Sequence, residues 1–281
     1  MLTRGRNCVI LYKKRYGLNY PNKREEFYQM KKILAVLAAA AMALSCVGCN
    51  TAGSEKKKLK VGSDVAYPPF EYMDTDGQTP IGVDMELAKA LADKMGREVE
   101  ICNVGWDGIF AGLEKGDYDV VISAVTITPD RLEKFIFSDP YIENWQSIVV
   151  MADAAKKPAS PAELDGLRVG YQEETTSDIY LTDFIAKNGI SVQTSEYATV
   201  MNAYEDLAAG RLDAVISDST VAARYIADPK YVQSWLQSEG EPELFGVCIP
   251  KDNTALRDEI NKAMAELKKD GTLDKIINTY F

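Results

Sequence analysis

The segment GDYDVVISAVTITPDR contains residue types that can bind a small anion. The apolar run at residues 120–125 predicts a buried strand that carries Ser123, and Thr126, Thr128 and Arg131 follow it. Hydroxyl and free backbone N–H groups can bind one side of a carboxylate, while a guanidinium grips it through two parallel hydrogen bonds. Ligands of open α/β sheets bind beyond the carboxyl ends of the strands. The segment therefore predicts an anion pocket, with an ordinary strand-to-helix cap as the alternative.

A second segment repeats the order of glycine, aspartate, buried strand and serine. KGDYDVVIS at residues 115–123 is matched by AGRLDAVIS at residues 209–217, and Asp218 follows the second strand. Strands and helices alternate through both halves of the chain, which is typical of an α/β fold with largely parallel sheets. We expect two similar α/β units that face one cleft, although any repeated βα protein produces such matches.

The N-terminal region has the features of a secretory leader. Residues 30–48 consist of Met-Lys-Lys, an apolar run and small residues, which is the pattern of a signal peptide. The apolar run is too short for a membrane-spanning helix, which needs about 20 residues. Because a signal peptide starts at the initiator methionine, we expect Met30 to be the true start and residues 1–29 to be a misassigned upstream extension.

Two cysteines follow the leader and are candidates for lipid attachment. The small residues before Cys49 resemble the lipobox of bacterial lipoproteins, and Cys46 is the alternative site. A secreted protein with an unmodified cysteine is the other alternative. Residues 49–58 then predict a polar tether between the lipid and the folded domain.

Composition excludes several classes of protein. Residues 1–48 hold nine of the 32 Lys and Arg residues and two of the 42 Asp and Glu residues, so the remaining chain has a net charge near −17. Such a surface repels nucleic acid. The chain has no histidine, which excludes Ser-His-Asp and Cys-His catalysis and removes the usual general base. No cysteine and histidine spacing typical of a metal site occurs.

The longest motifs resemble a known family. The segments LKVGSDVAYPPFEYMDTDGQTPIGVDMELAKALADKMG, VGWDGIFAGLEKGDYDVVISAVTITPDRLEKFIFSDPY and LKKDGTLDKIINTYF resemble the polar amino-acid-binding proteins of ABC importers over residues 59–281. The resemblance implies an α/β, two-lobed periplasmic-binding-protein fold of type II with two crossovers that form a hinge. It places lobe one at residues 59–146 and 245–281 and lobe two at residues 147–244.

The resemblance also assigns residues to the backbone groups of an amino-acid ligand. Arg131 matches the arginine that binds the ligand α-carboxylate, with Thr126 and Thr175 as assisting positions. Asp218 matches the acid that binds the α-ammonium, although it could instead cap the following helix. Ala124 stands where relatives carry serine, and Ser123 lies beside it.

Further positions match the pocket for the ligand side chain. Tyr67, Phe70 and Trp106 match its aromatic walls, with burial in the core of lobe one as the alternative for each. Asp64 matches an acid at the pocket floor in relatives that take basic or amide side chains, although it could be a turn residue. With Glu71 nearby, Asp64 favours a basic or polar ligand.

The resemblance implies a lipid-anchored, extracytoplasmic binding protein that hands a polar amino acid to an ABC permease and its ATPase. We expect a monomer with no cofactor, no metal and no catalytic activity. The alternatives are a dehydratase-type enzyme with Glu173 or Glu174 as general acid, and a ligand-sensing module. We also expect Cys102 and Cys248 to be buried free thiols, since the family's sheet order separates their strands by two others.

Overall fold

The computed structural model describes residues 57–281. The predicted upstream extension, the signal peptide and both candidate lipidation sites, Cys46 and Cys49, lie outside the described residues. The tether was predicted to end at residue 58, but Lys58 already begins the first strand. Among residues 57–281, no helix is long and apolar enough to cross a membrane.

Five strands form the first sheet. In spatial order they are β4 (Glu98–Asn103), β1 (Lys58–Ser63), β5 (Val120–Val121), β14 (Cys248–Pro250) and β6 (Phe135–Phe137). β1 is parallel to β4 and β5, and β14 is antiparallel to β5 and β6. Because β1 and β5 end at the same edge, the residues that follow them meet, and the backbone N–H of Asp64 donates to Ser123 Oγ at 3.0 Å.

The second sheet also has five strands. In spatial order they are β10 (Gln193–Tyr197), β9 (Arg168–Gln172), β11 (Ala214–Asp218), β8 (Gln146–Met151) and β12 (Tyr231–Leu236). β9 is parallel to β10 and β11, while β8 is antiparallel to β11 and β12. The parallel strands β9 and β11 end in Gln172 and Asp218, which places both side chains at one edge.

The chain passes between the sheets twice. β7 (Ile142–Asn144) leads from the first sheet to the second, β13 (Glu243–Phe245) leads back, and the two strands pair antiparallel. A separate hairpin is formed by β2 (Tyr72–Met73) and β3 (Pro80–Ile81). The paired crossings lie beside the strand ends that carry the polar residues.

Helices connect and cover the strands. They are α1 (Val83–Lys94), α2 (Trp106–Lys115), α3 (Pro129–Lys134), α4 (Thr176–Asn188), α5 (Val200–Ala208), α6 (Ser219–Ile226), α7 (Thr254–Lys269) and α8 (Thr272–Tyr280), with a 3₁₀ turn at Pro161–Leu164. On α7, Leu256, Ile260, Ala263, Met264 and Leu267 recur at helical spacing and are buried in the core. The predicted α/β class is confirmed.

One predicted strand is shorter than expected. We predicted a strand over residues 120–125, but β5 ends at Val121. Ala124 has a φ of 46°, a left-handed conformation that a strand residue does not adopt and that breaks the ladder. The residues after Val121 therefore form a bend, whose backbone groups are free to face other partners.

The prediction that Cys102 and Cys248 are free thiols is confirmed. They lie on β4 and β14, and β1 and β5 separate these strands as expected. Cys248 is buried, but Cys102 is only half-buried, so the expectation of burial was wrong for that residue. Cys102 lies on an edge strand, and one side of that strand has no neighbour within the sheet.

Candidate functional site

The ends of the central strands line a cavity whose empty space, counted together with the part open to solvent, is about 310 Å³. The residues that line it come from both sheets and are Asp64, Tyr67, Glu71, Trp106, Ser123, Ala124, Thr126, Arg131, Gln172, Thr175, Thr176 and Asp218. Nine of the ten predicted site residues are therefore brought together, and Phe70 is the exception.

Arg131 supplies a cation to this cavity. Its Nη1 donates to the backbone carbonyl of Thr126 at 2.9 Å, and its Cζ lies 5.3 Å and 5.0 Å from the ring centroids of Trp106 and Phe110. No carboxylate among residues 57–281 forms an ion pair with it. Burial lowers the pKa of the guanidinium, but an arginine stays charged. Most of its five N–H donors are thus available to an anion.

The hydroxyl residues near Arg131 divide into two kinds. Thr128 caps α3 by accepting from the backbone N–H of Arg131, so the cap interpretation is right for this residue. Thr126 lines the cavity instead, and its Oγ1 donates to Glu243 at 3.2 Å. Thr175 caps α4 from the opposite side of the cavity. The N-terminus of that helix and Arg131 therefore line the same cavity, and a helix N-terminus favours an anion beside it.

Asp218 supplies a buried carboxylate. Its Oδ2 accepts from the Tyr67 hydroxyl at 2.6 Å, and its Oδ1 accepts from Asn144 Nδ2 at 2.7 Å and Gln146 Nε2 at 3.2 Å. Asp218 stands at the N-cap position of α6, as the alternative expected, but its side chain makes no capping bond there. Burial raises the pKa of Asp218 to about 7, and the charge of Glu243 adds to this, while the three donors act in the opposite direction.

Asp64 is a second buried carboxyl group at the cavity wall. Its Oδ2 accepts from Gln172 Nε2 at 3.0 Å, a bond that joins the ends of β1 and β9. Burial raises the pKa of Asp64 to about 6, the bond from Gln172 lowers it, and the charge of Asp107 raises it. No lysine or arginine in the described chain pairs with Asp64. A cation placed beside it would hold it ionised.

Phe70 does not line the cavity, which corrects its prediction as a site residue. Its ring is fully buried and packs edge-on against Phe245 and Phe281, at centroid distances of 5.4 Å and 5.9 Å. The turn closed by the bond from Phe70 N–H to the Tyr67 carbonyl separates the two aromatic residues. The tyrosine therefore faces the cavity while Phe70 faces the core.

Three lining residues were missed or only partly recognised. Gln172 ends β9, and Thr176 opens α4 and donates from its Oγ1 to Glu243 at 3.1 Å. Both residues stand where a predicted strand ends and a predicted helix begins, and this position could have identified them as lining residues. Glu71 was considered only as a nearby acid, whereas its side chain lies beneath Ser123.

Glu173 and Glu174, the candidate general acids of the enzyme alternative, do not line the cavity. Glu174 is exposed and adopts a left-handed φ of 58°. Its backbone carbonyl accepts from Trp106 Nε1 at 3.2 Å, which joins the two sides of the cavity at the rim. The contribution of this residue is therefore a backbone contact.

The chain is similar in sequence and in structure to known proteins. A model of the bacterial extracellular solute-binding proteins, family 3, matches residues 59–281. The chain is 32% identical over 256 residues to ABC transporter arginine-binding protein 1 of Escherichia coli (strain K12), covering 90% of this chain and 99% of that protein.

Two solved structures share the fold. An ancestral arginine-binding protein bound to arginine is 36% identical with a TM-score of 0.74, and the match covers 81% of this chain and 99% of that one. The ancestral amino acid-binding protein AncCDT-1, a precursor of cyclohexadienyl dehydratase, is 36% identical with a TM-score of 0.72, covering 80% and 95%. Both similarities extend over the cavity and its two sheets.

Proposed function

Because the chain belongs to the bacterial extracellular solute-binding proteins of family 3, we propose that it captures an amino acid with a cationic side chain, arginine in particular. Capture of an amino acid for import by an ABC transporter is the function common to its transporter relatives, and the chain has that function. The proposal concerns the ligand, the residues that hold it, and the way the protein is attached to the membrane.

The observation that carries the proposal is the excess of acid in the cavity. An α-amino acid brings one carboxylate and one ammonium group. Arg131 is suited to the carboxylate and Asp218 to the ammonium, since buried charges are tolerated when matched by charge-assisted hydrogen bonds. Asp64 then remains without a cation, although burial has already removed its water. A cationic side chain supplies that missing charge.

We propose two lobes around this ligand, with lobe one at residues 59–146 and 245–281 and lobe two at residues 147–244. The first sheet and α1 to α3 fall in lobe one together with α7 and α8, and the second sheet falls in lobe two. β7 and β13 would form the hinge. A ligand that bonds Arg131 on one lobe and Asp218 on the other favours the closed arrangement, because it gains both contacts only there.

Binding without chemistry is favoured over the enzyme alternative. A dehydratase-type site needs a general acid beside the substrate. Glu173 and Glu174 were the candidates, and neither lines the cavity.

We further propose that residues 30–48 are removed and that a lipid on Cys49, with Cys46 as the alternative, anchors a monomer on the outer side of the membrane, where it meets the permease. The pattern of small residues before these cysteines supports this. Detergent-phase partitioning should be lost in Cys49→Ser and kept in Cys46→Ser, and loss only in Cys46→Ser would assign the lipid to the alternative site.

The ligand assignment predicts a specific change in Asp64→Asn. Calorimetric titration of the wild type should give tightest binding for arginine within a panel that includes lysine, histidine, glutamine and cystine. The substitution keeps the size of the side chain but removes its charge. It should weaken the binding of arginine by about 2 kcal/mol or more. The binding of glutamine should weaken much less, because of these two ligands only arginine presents a cation to this position. Equal losses for both ligands would contradict the assignment.

Arg131→Ala should remove most binding of every amino acid in the panel. Truncating one partner of a buried, hydrogen-bonded charge pair costs about 2–5 kcal/mol, or roughly 30-fold or more in Kd. Arg211→Ala is the matched control, since Arg211 pairs with Asp206 on the exposed surface. Unchanged affinity in Arg131→Ala, with a normal circular dichroism spectrum, would place the carboxylate elsewhere.

Affinity should fall as the solution is acidified below about pH 7. The ammonium group needs the ionised form of Asp218, whose pKa in the ligand-free protein is about 7. Below that pH, binding must expel a proton, so Kd for glutamine should rise roughly tenfold per pH unit. Asp218→Asn should bind weakly with a flatter profile, whereas the exposed control Asp228→Asn should follow the wild type. A flat wild-type profile from pH 5 to pH 7 would refute the role of Asp218.

A further inference from the structure

Two acidic side chains at the cavity wall are completely buried. Glu71 precedes β2 and Asp84 lies in the first turn of α1, and both have an exposed fraction of 0%. Glu71 bonds Ser123 and Asp84 bonds the next residue, Ala124, so the two carboxyl groups lie close to each other. Two ionised carboxylates repel at this distance and have no water to screen them, so the contact requires an explanation.

Neighbouring N–H and O–H groups donate to one oxygen of Glu71 and to one oxygen of Asp84. Asp84 Oδ2 accepts from the backbone N–H of Ala124 at 2.7 Å and from the Tyr141 hydroxyl at 3.0 Å. Glu71 Oε1 accepts from Ser123 Oγ at 2.8 Å. Glu71 Oε2 and Asp84 Oδ1 receive no hydrogen bond from any N–H or O–H group in the described part of the chain. Each carboxyl group therefore keeps one buried oxygen without a donor, and a proton between the two groups would supply one.

No positive group neutralises the pair. Within residues 57–281, neither carboxyl group forms an ion pair with a lysine or arginine, and no group of His, Cys, Asp or Glu is arranged to hold a metal ion. The titratable neighbours are themselves acids or phenols: Asp64 after β1, Tyr67 in the turn before β2, and Tyr141 before β7. On α8, Tyr280 accepts from the backbone N–H of Gly82 at the start of α1. These neighbours favour the protonated form of one of the two carboxyl groups.

We propose that Glu71 and Asp84 share one proton in the folded protein, held on Glu71 Oε2, and that this protonated pair positions Ser123 and Ala124 at the cavity. The proton belongs on Glu71 because Asp84 has two other donors that stabilise its charge, whereas Glu71 has one. The direction of the pKa shifts agrees, since burial raises the pKa of Glu71 well above its usual value and that of Asp84 to about 6.

The pair acts on the cavity through the bend that ends β5. Ala124 has a φ of 46°, a left-handed conformation that is strained for a residue other than glycine. The bond from its N–H to Asp84 holds this conformation. Ser123 Oγ links Glu71 to the backbone N–H of Asp64. Glu71 and Asp84 are therefore positioning residues for the wall that carries Ser123, Ala124 and Asp64, and their effect on ligand affinity rests on the proposed function.

A shared proton has a defined effect on stability. In the unfolded chain both carboxyl groups lose their protons near their usual pKa values of 4.5 and 3.8. The folded pair keeps one proton to a higher pH. Stability from the pair is therefore present at low pH and is lost as the pH rises towards the folded pKa, by tenfold in the folding equilibrium constant per pH unit.

The experiment compares wild type, Glu71→Gln, Glu71→Met and the control Glu86→Gln, whose side chain pairs with Lys89, as full-length chains. The amide of Glu71→Gln can donate to Asp84 and accept from Ser123, as protonated Glu71 does, but it cannot lose its proton. In urea denaturation from about pH 5.5 to about pH 8.5, the folding equilibrium constant of Glu71→Gln relative to wild type should rise tenfold per pH unit. Glu86→Gln should run parallel to wild type. Contributions from Asp64 and Asp218 cancel in the ratio.

Infrared spectroscopy gives an independent readout that a merely structural role would not produce. At about pH 8.5, where Asp64 and Asp218 are ionised, wild type and Glu86→Gln should show the carbonyl stretch of a protonated carboxylic acid, and Glu71→Gln should lack that band. A wild-type spectrum without the band, or a Glu71→Gln to wild-type ratio that does not change with pH, overturns the shared proton.

The positioning role is tested with arginine by calorimetry. Glu71→Met removes the donor and the acceptor, so Asp84 Oδ1 has no donor and the Ser123 hydroxyl loses the oxygen to which it donates. It should weaken arginine binding at least tenfold more than Glu71→Gln does. Equal affinities in the two variants overturn the positioning role. If wild type binds no amino acid, the proposed function fails, while the infrared band and the denaturation curves still decide the shared proton.

Discussion

The Arg131 guanidinium, which forms no ion pair with a carboxylate among residues 57–281, is the constraint on which the cavity depends. Arg131 is held by the Thr126 carbonyl and lies over the rings of Trp106 and Phe110. These contacts fix its position and offset part of the desolvation, but they do not cancel its charge. The protein thus holds a cation without a counter-ion, and a ligand carboxylate can take that place. α3, its cap at Thr128 and the bend after β5 serve to hold that one group in place.

The same constraint explains why the cavity and the crossings between the sheets form one network. Glu243 lies on β13 and accepts from Thr126 on one side of the cavity and from Thr176 on the other, at 3.2 Å and 3.1 Å. It also accepts from Asn144 and Gln146, which are the bonding partners of Asp218. A change at the cavity therefore reaches the paired strands β7 and β13 through direct hydrogen bonds.

The sequence predicts the polar ends of the strands well because their placement follows from topology. Parallel strands end at the same edge of a sheet, so Thr126, Arg131 and Asp218 could be recognised from the order of apolar runs and polar residues alone. The choice between Tyr67 and Phe70 could not be made in this way. Both follow the first strand and both are buried, and long-range packing against Phe245 and Phe281 places the ring of Phe70 away from the cavity. The left-handed bend at Ala124 could not be predicted from the sequence either, because the residue at that position is not a glycine.

The buried acids near the cavity divide into two groups, because in the described part of the chain Glu71 and Asp84 each keep a buried oxygen without a donor, whereas Asp64 and Asp218 do not. Asp64 and Asp218 accept bonds from amide or hydroxyl donors that lower the pKa against the effect of burial, so each can ionise when a cation arrives. Glu71 and Asp84 are turned towards each other, where one proton satisfies both. The first group therefore responds to the ligand, while the second holds the wall on which the ligand rests. An anionic cavity can persist in a folded protein because its acids need not all be charged together.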